Sequence, residues 1–491
     1  MAIEGLAVPD ATAPGGPASL GVMDKGLKKG AIGYLSNIVI GVASTAPAYS
    51  LAATLGFIVA VKGVGVHAPA VMLVAFVPML LVASAYKYFN RADPDAGTTF
   101  AWTTRAFGPS TGWLNGWAIF LSDVIVMASL ADIAAIYTFK LFGFTELGES
   151  KAAVIIAAVL WIAIMTWICY RGIELSARIQ QVLLGAEVCI LGLFAVVAFV
   201  KVYGSHPPSG SIKPSLSWIN PFAMNFSDLV VALLLAVFIY WGWDSGVAVN
   251  EESKDPAEGP GKAAVVSTIL LVLIYVVVSG AAQSFHGVGF LTNEANQEDV
   301  LNALGSGVLG STLNKLLIIA VLTSASASTQ TTILPTARTT LSMAHWKAVT
   351  NLLSRVHKRY LTPTVSTLGF GLLSIIITVV LLLLSESVLV DSLTAIGFPI
   401  CFYYGFTGVA CGWYYRHELF KSARNLLLLG IGPLIGGLML FGIGIRAGFY
   451  YAETAHVESK PILGITLPLW MGVGGMVLGA IVMLVSRPFF R

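Results

Sequence analysis

The chain has 491 residues, of which 56% are apolar and 11% are charged. Because soluble proteins carry about 25% charged residues, this composition excludes an ordinary soluble enzyme and a disordered regulator. The formal net charge of +3 supplies no basic field for nucleic acid. No nucleotide-binding or metal-binding motif occurs in a suitable setting, so we expect no enzyme activity, no cofactor and no metal site.

The N-terminal segment 1–29 is polar, rich in Gly and Pro, and has no apolar core before Lys25. A secretory signal peptide needs such an apolar core. The sequence therefore predicts a disordered cytoplasmic tail over 1–29 and not a cleaved signal.

Twelve apolar segments follow, each close to the roughly 20 residues that a membrane helix needs. Alternation with period two is absent, which favours helices over a β-barrel. We expect one all-α integral membrane domain. The predicted spans are 31–60, 67–89, 112–142, 152–170, 178–202, 228–250, 262–288, 313–344, 364–385, 389–412, 424–447 and 466–486.

The distribution of Lys and Arg sets the orientation. With the N-terminus inside, 20 of the 28 Lys and Arg residues, including Arg487 and Arg491, fall on the cytoplasmic side. Cytoplasmic loops carry an excess of these residues. The prediction is a multi-pass protein of the cytoplasmic membrane with both termini cytoplasmic.

Two spans carry an interruption. Span one contains Ser44–Ala48, where Pro47 removes a backbone hydrogen bond and clashes with the preceding turn. Span six contains Tyr240–Ser245, which places Asp244 in mid-membrane. Either segment alone is compatible with a kinked structural helix. Interruptions in corresponding positions of two halves point to a transporter binding site, and we expect the two breaks to face each other across a cavity.

Several motifs resemble the amino acid–polyamine–organocation (APC) superfamily. Gly242–Asp244 followed by Asn250–Pro256 resembles its sixth-helix pattern of an aromatic residue and an acid near a break, then an acidic pair and a Lys-x-Pro turn. Asp95–Trp102 is similar to the segment before its third helix, and Arg171–Gln180 to the segment entering its fifth. The resemblance covers nearly the whole membrane part in the same order.

The resemblance implies an architecture that spacing alone does not show. It is a five-plus-five inverted repeat with broken helices one and six, working by alternating access. Helices one to five would occupy 30–202, helices six to ten 203–412, and two extra helices 413–491. The family's first break is usually Gly-rich. Here Ser44-Thr45-Ala46-Pro47 stands in its place, which weakens the expectation of a standard α-amino-acid carboxylate pocket.

The two breaks predict the substrate contacts. A half-helix N-terminus attracts a carboxylate, and half-helix C-terminal carbonyls attract an ammonium group. By resemblance, Trp243 or Trp241 covers the substrate. Asp244 either contacts substrate or caps the outgoing half-helix. The predicted substrate-binding residues are Ser44, Thr45, Ala46, Ala48, Tyr240, Trp241, Gly242, Trp243, Asp244 and Asp123.

Acids at membrane depth are a further clue, because each costs about 2.5–3.5 kcal/mol on insertion scales. Asp123 and Asp132 both lie in span three. They point to opposite helix faces about 13.5 Å apart along the axis, so only one can line the site. Glu251 and Glu252 lie at the cytoplasmic end, where a gate ion pair or a solvated face is expected.

Glu187 in span five is the predicted proton carrier. The alternative is a fixed anion that binds sodium or a cationic substrate. In some APC relatives a lysine stands at this place, near the sodium site of sodium-coupled cousins. A carboxyl here suits proton coupling, and we expect protonated Glu187 to donate to a carbonyl of the first break. The hydroxyls of Thr323–Thr329 either bind sodium or serve close helix packing.

The leading hypothesis is a permease of the cell membrane, moving an amino acid or related amine with a proton, or else sodium, as coupling ion. The alternatives are an exchanger for polyamines or cationic amino acids, a sodium-coupled symporter, and a sensor with a transporter-like fold. The expected partners are the substrate, the coupling ion and the lipid bilayer, with no nucleic acid.

Overall fold

The computed structural model describes residues 24–297, 299–384, 388–454, 457 and 459–486. Within this part of the chain every regular element is a helix, and strand pairing is limited to isolated bridges such as Ile32 with Ser253. Residues 1–23 of the predicted tail lie outside the described residues, as do Arg487 and Arg491 of the predicted cytoplasmic side.

The first half of the chain forms eight α-helices. They are α1 (Tyr34–Ser44), α2 (Pro47–Ala60), α3 (Ala68–Ala92), α4 (Thr99–Phe107), α5 (Pro109–Phe142), α6 (Thr145–Glu149), α7 (Lys151–Arg171) and α8 (Ile173–Tyr203). Pro is accommodated in the first turn of α2 and α5, where its missing N–H costs no helical hydrogen bond.

The second half continues with long helices and short connecting ones. They are α9 (Phe226–Ile239), α10 (Ser245–Ala248), α11 (Gly259–His286), α12 (Val288–Leu291), α13 (Glu294–Gln297), α14 (Val300–Leu313), α15 (Lys315–His345), α16 (Thr364–Leu384), α17 (Val388–Tyr414), α18 (Ala423–Asn425), α19 (Gly432–Ala452), α20 (Leu467–Leu469) and α21 (Gly475–Ser486). Two π-helical segments, Leu426–Ile431 and Trp470–Gly474, run directly into α19 and α21.

Eleven helical segments of the described chain are long and apolar enough to cross a membrane, so the chain is a multi-pass membrane protein. They correspond to all predicted spans except the sixth. That span is the 14-residue helix α9 followed by turns and the four-residue helix α10. The predicted all-α membrane fold with interrupted helices one and six is therefore present.

The broken helices lie in the centre of the bundle. α1 packs against α8, α10, α11 and α15, and α2 packs against α9 and α15. The most apolar stretch of α15 is 83% buried, whereas that of the last span is only 11% buried. The structure thus surrounds both breaks with protein, as non-helical backbone at membrane depth requires.

The end of the predicted tail is packed against this bundle. Lys25 and Leu27 are 2% and 6% exposed. The N–H of Ile32 donates to the Glu252 carbonyl at 3.2 Å, and the N–H of Lys254 donates to the Ile32 carbonyl at 2.8 Å. Residues 24–29 therefore differ from the predicted disordered tail, because buried partners on other elements hold Lys25 in place.

Candidate substrate and coupling site

The interruption of the first span is only two residues long. α1 ends at Ser44 and α2 begins at Pro47, which leaves Thr45 and Ala46 outside the helices. Ala46 has a left-handed backbone with φ 47°, a conformation that costs an L-residue roughly 1–2 kcal/mol. The predicted break is present but narrower than Ser44–Ala48. Pro47 starts a second half-helix, where its ring is tolerated, and does not kink a continuous one.

The interruption of the sixth span meets the first directly. After α9 ends at Ile239, turns lead to α10 at Ser245. Gly242 has φ 119°, and a Cβ at this position would lie 2.8 Å from Ser44 Oγ. The hydroxyls of Ser44 and Ser245 share a 2.8 Å hydrogen bond. At this point the breaks are in contact, and not separated by the predicted cavity, because Gly242 lets the two backbones approach.

Glu187 of α8 lies at the beginning of α2. Its side chain is fully buried, and Oε1 accepts hydrogen bonds from the Ala48 N–H at 2.7 Å and the Ser324 hydroxyl at 2.8 Å. Oε2 has no hydrogen-bond partner among the described residues. The expected donation from Glu187 to a carbonyl of the break is wrong, since the observed backbone partner is an N–H, which can only donate. Oε2 remains the oxygen that can hold a proton.

The first turn of α2 has its backbone donors already bound. Besides the Ala48 N–H, the Tyr49 N–H donates to Ser324 Oγ at 3.2 Å and the Ser50 N–H donates to the Ala46 carbonyl at 2.7 Å. Pro47 has no N–H to offer. The positive end of the α2 dipole therefore holds the protein's own Glu187 carboxyl at the place predicted for a substrate carboxylate.

The hydroxyl run of the eighth span joins α15 to the first break. Ser324 contacts Glu187, and the Ser328 hydroxyl donates to the Ser44 carbonyl at 2.8 Å. Thr323 and Thr329 donate to carbonyls of α15 itself. Two of these side chains thus position the break, and the other two satisfy their own helix.

Asp244 is the centre of an aromatic cluster formed by Tyr86, Trp243, Tyr403 and Tyr404. The Tyr404 hydroxyl donates to Oδ1 at 2.8 Å, and those of Tyr403 and Tyr86 donate to Oδ2 at 3.3 and 3.4 Å. Asp244 occupies the N-cap position of α10 without a side-chain capping hydrogen bond. The capping interpretation is wrong, because both carboxylate oxygens face tyrosine hydroxyls and not the helix N–H groups.

The aromatic rings of this cluster form a continuous wall. The Trp243 ring stacks on Tyr404 at 5.1 Å between centroids, and its edge meets Tyr86 at 4.9 Å. The Trp241 indole donates to the Tyr403 hydroxyl, which brings Trp241 to the same cluster. The Tyr240 hydroxyl instead donates to the Met72 carbonyl at 3.0 Å, so its polar end is directed away from Asp244.

The two acids of α5 have different surroundings. Asp123 is buried and accepts a hydrogen bond from the Thr336 hydroxyl of α15. Asp132 is only partly buried. In the described chain, no three His, Cys, Asp or Glu side chains come together as a possible metal site.

A second concentration of buried charge lies at the end of the bundle that the Lys and Arg distribution assigns to the cytoplasm. We call it the charge network, and its members are Lys25, Asp95, Glu251, Glu252 and Arg338. Lys25 Nζ lies 3.1 Å from Asp95 and also contacts Glu251. Arg338 is 1% exposed and binds both oxygens of the fully buried Glu252, one of them at 2.9 Å. Of the two expectations for Glu251 and Glu252, the ion pair is correct and the solvated face is wrong.

Asp95 shows how strongly the charge network is paired. Burial alone would raise its pKa, but Lys25 and hydrogen bonds from Ser342 at 2.6 Å and the Gly97 N–H at 2.7 Å hold the pKa at about 2. Burial lowers the pKa of Lys25, and Asp95 and Glu251 together outweigh this effect, so the net shift is upward. Both groups therefore stay charged at neutral pH.

Several residues of the site were not predicted. Tyr86, Tyr403 and Tyr404 come from α3 and α17, and Lys25 comes from the segment before α1. The adjacent tyrosines in an otherwise apolar span are a weak signal in the sequence, because a buried tyrosine needs a partner for its hydroxyl. Nothing in the sequence indicates that this partner is Asp244.

Comparison with known proteins gives a consistent result. The family model described as amino acid permease matches residues 32–473. The branched-chain amino acid permease of Bacillus subtilis is 25% identical over 329 residues, covering 62% of this chain and 65% of the relative. The Asc-type amino acid transporter 1 of Mus musculus is 25% identical over 254 residues, covering 50% and 45%. An arginine/ornithine antiporter of Lactococcus lactis is 24% identical over 265 residues, covering 50% and 49%.

These alignments are partial. The chain spans 65% of the length of the Bacillus subtilis relative and about half of the other two. The matched family region nevertheless contains both breaks, Glu187 and the aromatic cluster.

Proposed function

The chain belongs to the amino acid permease family, and from this premise we propose that it is a secondary transporter of the cell membrane. It moves an amino acid or related amine by alternating access, with a proton as the coupling ion. The family assignment confirms the predicted resemblance and the prediction that the chain is not an enzyme. Activity, substrate and coupling are the proposal.

The environment of Glu187 is the single observation that carries the coupling proposal. A fully buried carboxylate without a cationic partner is expensive in a medium of low dielectric. Glu187 has two donors on Oε1 and none among the described residues on Oε2. A proton on Oε2 removes the charge and leaves both existing hydrogen bonds in place.

The position of Glu187 links its charge to the movement of the break. It belongs to α8, while its donors belong to α2 and α15. Ionised Glu187 binds the positive end of α2 strongly, and protonated Glu187 binds it weakly. Loading and release of the proton therefore change how firmly the first break is held against α8 and α15.

The proposed substrate site lies between the two breaks. One wall is the backbone of Ser44, Thr45, Ala46 and Ala48, and the other is Tyr240, Trp241, Gly242, Trp243 and Asp244. The contact between Ser44 and Gly242 and the burial of Trp243 support this assignment. Asp123 borders the site from α5. In this arrangement the site is closed, and substrate entry requires the breaks to separate.

The orientation of the chain in the membrane and its division into two inverted repeats are also part of the proposal. With both termini cytoplasmic, the charge network lies on the cytoplasmic side and acts as the inner gate. We divide the transport core into 30–202 and 203–412, with 413–491 as peripheral helices. Cysteine labelling at Gly210 and Asn296 from outside the cell tests the orientation, and labelling of either residue from the cytoplasm alone would contradict it.

The function is tested by uptake into proteoliposomes. Purified protein is reconstituted, an inward proton gradient is imposed, and a panel of labelled amino acids and amines is added. We expect accumulation of at least one compound, abolished by a protonophore and insensitive to replacing sodium with potassium. Accumulation that requires sodium would favour the sodium-coupled alternative.

Exchange is the second candidate, because arginine/ornithine antiporters are among the relatives. Preloading the vesicles with unlabelled substrate distinguishes the two. Uptake that occurs only after preloading, with or without a proton gradient, indicates an exchanger.

A further inference from the structure

We propose that the positively charged connection between α15 and α16, together with Arg171, binds the phosphate headgroup of an anionic phospholipid in the cytoplasmic leaflet. This inference goes beyond the proposed transport function and shares with it only the orientation of the chain in the membrane. Three features of the connection and its neighbours carry it.

The first feature is a concentration of positive charge without acidic partners. The connection 346–363 contains Lys347, Arg355, Lys358 and Arg359 and no Asp or Glu. All four residues are exposed, as is Arg171 at the end of α7. In the part of the chain that the structure describes, none of the five forms an ion pair with an acid. An anion from outside the protein would relieve the repulsion among these charges.

The second feature is the defined backbone that carries the charges. Residues 355–364 form a turn closed by a β-bridge, which we call the basic hairpin. The N–H groups of Arg359 and Tyr360 both donate to His357 Nδ1 at 3.1 Å. The Thr362 hydroxyl donates at 2.9 Å to the carbonyl of the penultimate residue of α7. The basic hairpin is therefore fixed internally and attached to α7.

Two guanidinium groups meet at one aromatic ring of this hairpin. Arg171 Cζ lies 5.2 Å from the centre of the Tyr360 ring and 5.4 Å from that of the Trp167 ring. Arg359 Cζ lies 5.7 Å from the Tyr360 ring. The acid nearest to Arg171 in the sequence, Glu174, is paired at 2.7 Å with a lysine of the N-terminal segment. Guanidinium groups bind phosphate oxygens with paired N–H donors, and these two lack a carboxylate partner.

The third feature is the position of the cluster at the boundary of the membrane. α7 ends at Arg171 and α16 begins at Thr364, and both helices are long and apolar enough to cross a membrane. Trp167 and Leu352 are 54% and 45% exposed. Exposed Trp is typical of the membrane interface, and clusters of Lys and Arg directly beside a membrane helix bind anionic headgroups. This position favours a lipid over a free anion, because acyl chains can contact the apolar side chains beside the charges.

The test measures how lipids stabilise the purified full chain in a neutral detergent. Phosphatidylglycerol and phosphatidylcholine with the same acyl chains are titrated, and binding is followed by thermal unfolding and native mass spectrometry. We expect phosphatidylglycerol to raise the unfolding temperature and to remain bound, and phosphatidylcholine to do so much less. Inorganic phosphate at the same concentration should leave the unfolding temperature unchanged.

A triple variant tests the assignment to the basic hairpin. Arg355→Gln/Lys358→Gln/Arg359→Gln removes three charges from exposed positions, so the fold should be retained. Each Lys or Arg near an anionic surface contributes about fivefold to the affinity. We therefore expect the affinity for phosphatidylglycerol to fall about hundredfold.

The matched control removes the same number of exposed charges from the connection between α17 and α19. Arg416→Gln/Lys421→Gln/Arg424→Gln should bind phosphatidylglycerol like wild type. An equal loss in both triple variants would overturn the inference, because general attraction to positive charge would then explain the binding. Equal stabilisation by both lipids, or by inorganic phosphate, would also overturn it. None of these measurements depends on transport, so such a result would leave the proposed function standing.

Discussion

Buried charge is handled in two opposite ways in this protein. In the charge network, the acids have basic partners, as in the pairs of Lys25 with Asp95 and Arg338 with Glu252. At the breaks, Glu187 and Asp244 are as deeply buried but have only hydroxyl and amide donors. Glu187 and Glu252 are both fully buried, so burial alone does not explain the difference.

The first group of acids is neutralised by basic side chains of the protein itself. The second group has no such neutralising partner within the described chain. The charge of a buried acid is compensated when an Arg binds both of its oxygens. Removing either partner leaves the other as an isolated buried charge. A buried acid with only neutral donors is incompletely compensated. Under the proposed transport function, these are the positions where a proton or a cation can bind and leave without breaking the fold.

Removing Arg338 should have the largest effect on stability. Arg338→Met leaves Glu252 buried without its cation, at a cost of about 3–5 kcal/mol. We expect little folded protein in detergent, measured by size-exclusion chromatography and thermal unfolding. The double variant Arg338→Met/Glu252→Gln removes both charges and should recover much of the stability. An equal loss of stability in the single and the double variant would contradict the view that Arg338 serves to neutralise Glu252.

Asp95 should have an intermediate and pH-dependent effect. Its pKa is about 2 in the folded protein against an ordinary value near 3.8, a difference equal to about 2 kcal/mol. Because the folded pKa is the lower one, this contribution is fully present above pH ~4 and is lost as the pH falls through ~2. Asp95→Asn should therefore be less stable than wild type at neutral pH and converge with it as the pH falls.

The neighbours of Asp95 affect the design of this measurement. Burial raises the pKa of Asp93 to about 6 although Arg105 opposes the shift, so Asp93 contributes to the pH dependence with the opposite sign. Subtracting the Asp95→Asn melting curves from those of wild type at each pH gives the contribution of Asp95 together with its effect on the titration of Asp93. A difference that stays constant from pH ~7 to ~3 would show that its charge does not stabilise the fold.

Ser324 should give the smallest effect. Ser324→Ala removes one of the two donors to Glu187 and costs roughly 1 kcal/mol, which we expect to appear as a several-fold change in proton-driven uptake. Ser326 lies two residues away, and its hydroxyl has no partner within the described chain. Ser326→Ala is therefore the matched control, and equal effects of both substitutions would argue against a role for the Glu187 contact.

The fold follows from the sequence to a large extent. The apolar runs predict eleven helices within a few residues, and Pro47 and Gly242 indicate both interruptions. The limits of the first break are less predictable, because Pro47 is compatible with either a kink or a helix start. The backbone geometry of Ala46 decides between the two.

The site is predictable only in part. Sequence identifies Glu187 and Asp244 as unusual because acids at that depth are costly. Their partners come from α2, α3, α15 and α17, and no local pattern states which tyrosine or serine lies opposite. Lys25 is the extreme case, since its flanking residues are typical of a free tail while its ammonium group lies between two buried acids.

The most direct test of the account is proton movement through Glu187. Proteoliposomes containing a pH-sensitive dye are given a transported substrate, and internal acidification is recorded for wild type and Glu187→Gln, which resembles the protonated acid. We expect substrate-dependent acidification in wild type and none in Glu187→Gln, with substrate binding retained by the variant. Acidification by Glu187→Gln at the wild-type rate would contradict it and would move the coupling role to Asp123 or Asp132.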